Sequence, residues 1–397
     1  VAASSIAPIT GLTLAVDGQP LVLDAHGRAT YVPAGPGRFA ITATASDADG
    51  RVGSSASVLK VRDPNDQLAP VVSFENLAAG LTLTTATELR GNVSDSNLDA
   101  WVLELAPLGS DGFTALAGGN DAVSGVLYQL DPASLANGPY RLRLRASDIS
   151  GRTTSTETIV DANTASKPSR YQQAVTDLSA NLGGAVVDLV RSYDSLQRSV
   201  PSTFGYGWRL ANRDSDIRTN VVPTGEESRG SYNPFKEGTR VYLTLPDGRR
   251  VGYTFAPEKH TLSGITYYTP AYQADPGVDW RLDSAGAVLI RGAKGFYDAQ
   301  TAQAYDPASG QFDGPEYSLA APDGNVYQLS AANGVEQQIL PGGARLTFTD
   351  DGITSSTGEA VQFVRDGSGR VTQLIGPDGR RVVYAYDAPG NLVSFHD

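Results

Sequence analysis

The chain contains neither cysteine nor methionine. Without thiols there is no disulfide framework, no thiolate metal site and no cysteine nucleophile. Without methionine the chain has no initiator, so Val1 is expected to be an internal or processed end, with any export signal upstream. No apolar run approaches the roughly 18 residues of a membrane-spanning helix, so no membrane insertion by this segment is expected. Positive charge is also scarce. Lys and Arg together number 31 against 43 acidic residues, a net charge of −12. Nucleic acid and anionic membranes are recognised by basic patches, and this balance argues against both as general partners. The acidity serves solubility or supplies carboxylate-rich calcium sites. Only three histidines are present, His26, His260 and His396, too far apart in sequence for metal-ligand spacing.

What is abundant is punctuation. The sequence has 43 Gly and 23 Pro, mostly between short runs rich in Val, Thr, Tyr, Ile and Leu. Many short strands joined by tight turns are expected, hence an all-β chain. At 397 residues it should divide into two to four domains.

The first half contains a repeat at an offset of 101 residues. Gly37–Arg51 aligns without gaps on Gly138–Arg152. Phe39, Ile41, Ala43 and Ala45 alternate with more polar residues, and so do Tyr140, Leu142, Leu144 and Ala146. That period of two marks a half-buried strand. An Asp-x-x-Gly turn follows in each copy, and Ser54–Val61 or Thr154–Val160 returns as the second strand of a hairpin. Earlier strands are readable in the second copy, among them Trp101–Ala106 with Trp101, Leu103 and Leu105 on one face. With Ala69-Pro70, Asn92-Val-Ser-Asp95 and Asn137-Gly-Pro-Tyr140, residues 69–160 resemble the bacterial immunoglobulin-like β-sandwich domains of large surface proteins. Residues 1–62 read as the later part of a preceding copy, a partial immunoglobulin-like domain. Residues 161–170 are polar and aperiodic, and read as a linker.

The second half follows other rules. Asp188-Leu-Val-Arg-Ser-Tyr-Asp-Ser195 is followed by Phe204-Gly-Tyr-Gly-Trp208. At the C-terminus, residues 358–378 align on 379–397 at an offset of 21, with Gly358 on Gly379, Val361 on Val382, Phe363 on Tyr384, Asp366 on Asp387 and Gly369 on Gly390. A fixed period this short means stacked units, each unable to bury its own face. Pro-Asp-Gly, at 246–248, 322–324 and 377–379, suits the turn of a hairpin. Tyr384 and Tyr386 stand two apart and share one face of their strand.

The two patterns together resemble RHS/YD-repeat proteins. The first, with Tyr193, Asp194, Phe204, Gly205, Gly207 and Trp208, resembles that family's opening segment. The second, with Gly379, Tyr384, Tyr386, Asp387 and Gly390, resembles its repeat Tyr-x-Tyr-Asp-x-x-Gly-x-Leu. The resemblance implies that residues 171–397 form the opening segment and first repeats of a β-sheet shell, with clear repeats over 358–397. Residues 209–320 fit it poorly, and their strand layout stays open. It also implies a bacterial protein, secreted or at the cell surface. Its partner would be the remainder of the same polypeptide, namely further repeats and a C-terminal cargo, or a cell-surface protein or glycan.

No nucleophile elbow, phosphate-binding loop or dinucleotide fingerprint occurs, and no enzymatic role is expected. The acidic pairs Glu226-Glu227 and Asp350-Asp351 could serve a glycosidase, but neighbours on a strand point to opposite faces, and solvated loops are the simpler reading. Asp306-Pro-Ala-Ser-Gly310 is superficially like a self-cleavage motif of toxin-carrying RHS proteins and is read as a turn. No cofactor is expected apart from calcium. For calcium the candidate is Asp47 and Asp49 in Asp47-Ala-Asp-Gly50, the alternative being an ordinary Asp/Gly hairpin turn. Tyr267, Tyr268, Tyr272 and Trp280 are either core aromatics or a platform for glycan stacking.

Overall fold

The computed structural model describes every residue except Ala79 and residues 311–313. Among the described residues there is no α-helix, only strands and short 3₁₀ turns, and the chain is all-β as its turn-rich composition predicts.

The N-terminal sheet has four antiparallel strands in the order Gln19–Leu21, Ile9–Val16, Gly37–Asp47, Val52–Val61. Its one buried apolar side chain among the described residues is Val16, and Ile6, Val22 and Val32 are almost fully exposed. Residues 71–162 form a two-layer sandwich. One layer holds Val123–Leu130, Thr87–Ser94 and Val71–Phe74. The other holds Leu81–Leu83, Thr153–Ala162, Gly138–Asp148, Leu98–Pro107 and Thr114–Gly119. Leu89 and Val93 from the first layer meet Leu103, Leu105, Leu142, Leu144 and Val160 from the second in a shared core. This is an immunoglobulin-like β-sandwich. The alternation read from sequence is visible in the burial: Leu142 and Leu144 are enclosed, while Arg141 and Arg143 point outward to Glu157 and Glu104. The two terminal hairpins have equivalent registers, with Ala45 opposite Gly53 and Ala146 opposite Thr154.

The segment 161–170 begins less like a linker than its composition suggests. Asp161 and Ala162 still belong to the last sandwich strand, paired with Pro139 and Gly138, and both are buried. The strand overruns its polar sequence because residues beyond the sandwich cover it. Asn220 donates to the Asp161 carboxylate at 3.0 Å, Asn163 donates to Asp275 at 3.3 Å, and Arg250 donates to the Asn137 carbonyl at 2.8 Å.

Beyond the linker, Gln172–Leu182 and Ala185–Asp194 form a hairpin that continues into Trp208–Leu210. The stretch whose layout the sequence leaves open supplies two four-stranded sheets. One runs Arg218–Thr219, Arg240–Thr244, Arg250–Phe255, Tyr272–Ala274, and the other Glu258–Leu262, Ile265–Thr269, Leu289–Arg291, Phe296–Asp298. The last sheet has ten strands. Arg281–Ser284 lies at one edge, and from Tyr317–Ala320 onward each strand pairs with the next in sequence, ending at Leu392–His396. The repeat shows in its turns. Asp366 N–H donates to Arg370 O, and 21 residues on Asp387 N–H donates to Asn391 O. Val361 and Val382 are both buried, as are Phe363 and Tyr384. A single apolar cluster joins the opening hairpin, the middle sheets and the repeats, from Leu178 to Tyr384.

Candidate functional site

The two signatures, about 180 residues apart in sequence, meet in space. Their contact is organised by an irregularity in the opening hairpin. Pairing runs Thr176 opposite Val190 and then Leu178 opposite Leu189, so Asp177 is the extra residue of a β-bulge. Bulges re-aim a side chain. Here the Asp177 carboxylate accepts from Arg191 Nε at 2.8 Å and Nη2 at 2.9 Å, a bidentate pair with both side chains almost wholly enclosed. Tyr384 of the last repeat donates its hydroxyl to the same carboxylate at 2.6 Å. The Arg191 guanidinium is surrounded by rings, 4.6 Å from the centroid of Trp208, 4.5 Å from Phe395 and 5.6 Å from Tyr384. A buried cation is tolerable there because its charge is paired and its faces lie on aromatic quadrupoles. Burial pushes the Tyr384 hydroxyl far above its ordinary pKa, and the neighbouring Asp177 charge adds to this, so it stays a donor.

Of the remaining signature residues, Phe204, Gly205, Gly207, Tyr193, Trp208 and Tyr386 build the same junction, and the others close turns. Phe204 is fully buried, 4.9 Å from the Tyr384 ring. Gly205, at φ +85°, lies against the Gly390 carbonyl and the Tyr386 ring, and a side chain there would have no room. Gly207, at φ +73°, faces the Tyr193 ring, which in turn packs 5.2 Å from Trp208. The Tyr386 hydroxyl donates to Val371 O at 2.6 Å, and Arg370 lies 4.5 Å over its ring. Val371 N–H donates to Thr203 O, a further tie to the opening segment. Asp194 accepts from Arg170 and from Leu196 N–H, while Asp387 accepts from Gly390 N–H and Asn391 N–H, so both cap turns. Gly379, at φ +83°, closes its hairpin turn onto Gly376 O. Sequence reasoning passed over Asp177, Arg370 and Phe395. Asp177 carries no local signal, because its role comes from the bulge.

The aromatic stretch is not one platform. Tyr268 packs 5.1 Å from Phe296, Tyr272 lies between Phe255 and Tyr317, and Trp280 is 5.7 Å from Tyr327, all against the apolar cluster. Tyr267 instead stacks on His260 at 5.1 Å.

Asp47 caps its own turn. Its carboxylate accepts from Asp49 N–H at 3.0 Å, Arg51 N–H at 2.9 Å and the Ser5 hydroxyl at 2.6 Å. The Ser5 bond is the largest reason its pKa lies below the usual carboxylate value. Among the described residues, Asp47 and Asp49 belong to no group of three carboxylates or imidazoles. One such group does exist: Asp66, Asp95 and Asp148 present oxygens within 4.8 Å of one another. Asp66 lies between the N-terminal sheet and the sandwich, Asp95 after strand Thr87–Ser94, and Asp148 at the end of strand Gly138–Asp148.

Of the acidic pairs, Glu227 accepts from Thr224 in a surface turn, and Asp350 pairs with Arg213 at 2.8 Å. That pair borders a cleft of about 550 Å³ lined by Arg209, Asp214, Ser215, Asn333 and Arg365. Asp306 caps the turn Pro307–Ser309, accepting from Ala308 N–H at 3.0 Å, and is buried with Glu316. Burial pushes both carboxyls up to about 7.

No protein-family model matches this chain, and no curated protein does. Similar solved structures include the extracellular domain of protocadherin gamma B4, 10% identical over 88% of this chain and 59% of that one, with a TM-score of 0.16. The human desmocollin-1 ectodomain is 10% identical over 81% of this chain and 92% of that one, at 0.15. A Ca²⁺-stabilized adhesin that helps an Antarctic bacterium reach out and bind ice is 12% identical over 97% and 88%, at 0.16. The chain thus spans about three fifths of the first of these. At such scores nothing about partners or chemistry carries over to this chain. No helix of the described residues is long and apolar enough to cross a membrane.

Proposed function

We propose that this chain is a non-catalytic structural part of a larger secreted or surface-displayed bacterial protein of the RHS/YD-repeat kind. In this reading the sandwich spaces or displays the repeat sheet, and the sheet belongs to a shell that encloses or presents another part of the same polypeptide. The observation that carries the reading is the closure of the opening segment on the repeats through Asp177, Arg191, Phe204 and Tyr384. Two motifs that resemble the same family are far apart in sequence, yet they share one buried ion pair and one aromatic cluster. An opening segment fixed against the last repeats is what an enclosing scaffold needs, because it keeps one face of the repeat sheet covered.

The test is protease protection of the parent polypeptide. Any C-terminal segment following the repeats should be cut at least about tenfold more slowly in the intact protein than when expressed alone, since cleavage then waits on opening. Equal cleavage rates, or a parent sequence in which the repeats stop soon after Asp397, would remove this reading.

A further inference from the structure

We propose that Asp66, Asp95 and Asp148 bind a calcium ion that ties the segment between the N-terminal sheet and the sandwich to the sandwich base. The three carboxylates come from separate elements and present oxygens within 4.8 Å of one another. Oxygens each about 2.4 Å from one calcium ion span that distance. The group offers no imidazole or thiolate, so it suits a hard cation over zinc.

A second observation concerns Asp148. Its side chain is wholly enclosed, and Oδ1 accepts from Arg152 N–H at 2.8 Å. Oδ2 lies 2.9 Å from Arg152 Nε, yet receives no hydrogen bond. The reason is that Nε carries one hydrogen, and this is directed at the Leu68 carbonyl at 2.8 Å. A buried carboxylate oxygen without a donor is costly, and a cation supplies what is missing. Arg152 also reaches Asp66 Oδ2 at 3.2 Å, so one guanidinium faces two of the three carboxylates. Asp66 accepts from Asn97 Nδ2 at 2.9 Å and Leu68 N–H at 3.0 Å, and Asp95 from Asn97 N–H at 2.7 Å, bonds that orient both carboxylates and leave lone pairs free.

The position gives the ion a structural task. The N-terminal sheet buries almost no apolar surface, and polar contacts hold it to the sandwich: Arg38 and Lys60 to Asp99, and Arg62 to Ser150 O. Pairs of this kind, partly open to solvent, contribute little rigidity. An ion bound to Asp66 on one side and to Asp95 and Asp148 on the other removes the freedom of the joining segment.

The test is calorimetric titration of the chelator-stripped 397-residue chain with CaCl₂ and separately with MgCl₂. One calcium should bind with a Kd below about 1 mM. Asp95→Asn and Asp66→Asn should each weaken it at least about tenfold through the lost charge. Thermal melting in chelator shows whether each variant remains folded; Asp95 is the more secure choice, since Asn keeps its turn bond to Asn97. Absence of calcium binding at about 10 mM would overturn the proposal. So would unchanged affinity in a folded Asp95→Asn protein, or equal affinity for magnesium.

Discussion

Replacing Asp177 by Asn tests whether the buried junction holds the opening segment to the repeats. The carboxylate accepts three bonds, two from Arg191 and one from Tyr384, with the Asp and Arg side chains 1% and 2% exposed. Asn presents one acceptor and an NH₂ in place of the second oxygen, so the guanidinium is left buried with its charge uncompensated. Breaking such a pair costs about 3–5 kcal/mol. For a body the size of residues 171–397, each kcal/mol lowers Tm by about 2–4 °C, so a fall of roughly 6–20 °C is expected. Tyr384→Phe removes a single bond to a charged acceptor, about 1.5–3 kcal/mol, while both bonds from Arg191 remain. Asp177→Asn must therefore be the more damaging. Calorimetry of the two variants beside the wild type decides it. A Tm loss for Asp177→Asn under about 2 °C, or a larger loss for Tyr384→Phe, would refute the reasoning.

Three other outcomes follow from the geometry. Gly205→Ala should destabilise by more than about 2 kcal/mol, because a φ of +85° and the neighbouring Gly390 carbonyl both oppose a side chain, and urea titration reads the loss. Trp280→Ala should cost about 3 kcal/mol through lost packing on Tyr327, and Tyr267→Ala under about 1, so that any glycan binding lost only with Trp280 would trace to unfolding in the same titration. Burial raises Asp306 and Glu316 to about 7 and Asp161 to about 6, so the fold favours their protonated forms. Their contribution is complete below the unfolded values near pH 4 and is lost as pH rises through 6 to 7. Asp306→Asn should therefore flatten the stability decline between about pH 4 and 7, by about 1.4 kcal/mol for each unit of raising, and an unchanged slope in denaturant melts would contradict it.

Much of the architecture was legible because strand patterning is local. Tyr140, Leu142 and Leu144 alternate with arginines, and the sandwich buries the first set and solvates the second. The offset of 21 between Asp366 and Asp387 reappears as the same turn bond. The Pro-Asp-Gly hairpins and positive-φ glycines also follow from residue type alone. Residues 209–320 resisted, since their strands are short and find partners through tertiary placement. Arg281–Ser284, for instance, pairs with Tyr317–Ala320 across two intervening strands. For Tyr268, Tyr272 and Trp280 the sequence favours core over platform without deciding it, because an aromatic residue carries no mark of what will cover it.

The sequence by itself determined that this chain is all-β, where its two repeats lie, and which residues close the turns, because those depend on neighbours within a few bonds. Only the tertiary structure decided that Asp177 and Arg191 face Tyr384, and that Asp66, Asp95 and Asp148 converge while Asp47 and Asp49 serve their own turn. A carboxylate becomes an ion-pair partner, a ligand or a cap according to what the folded chain brings within about 3 Å of it, and that distance is set by sheet registers and bulges that no short stretch of sequence contains.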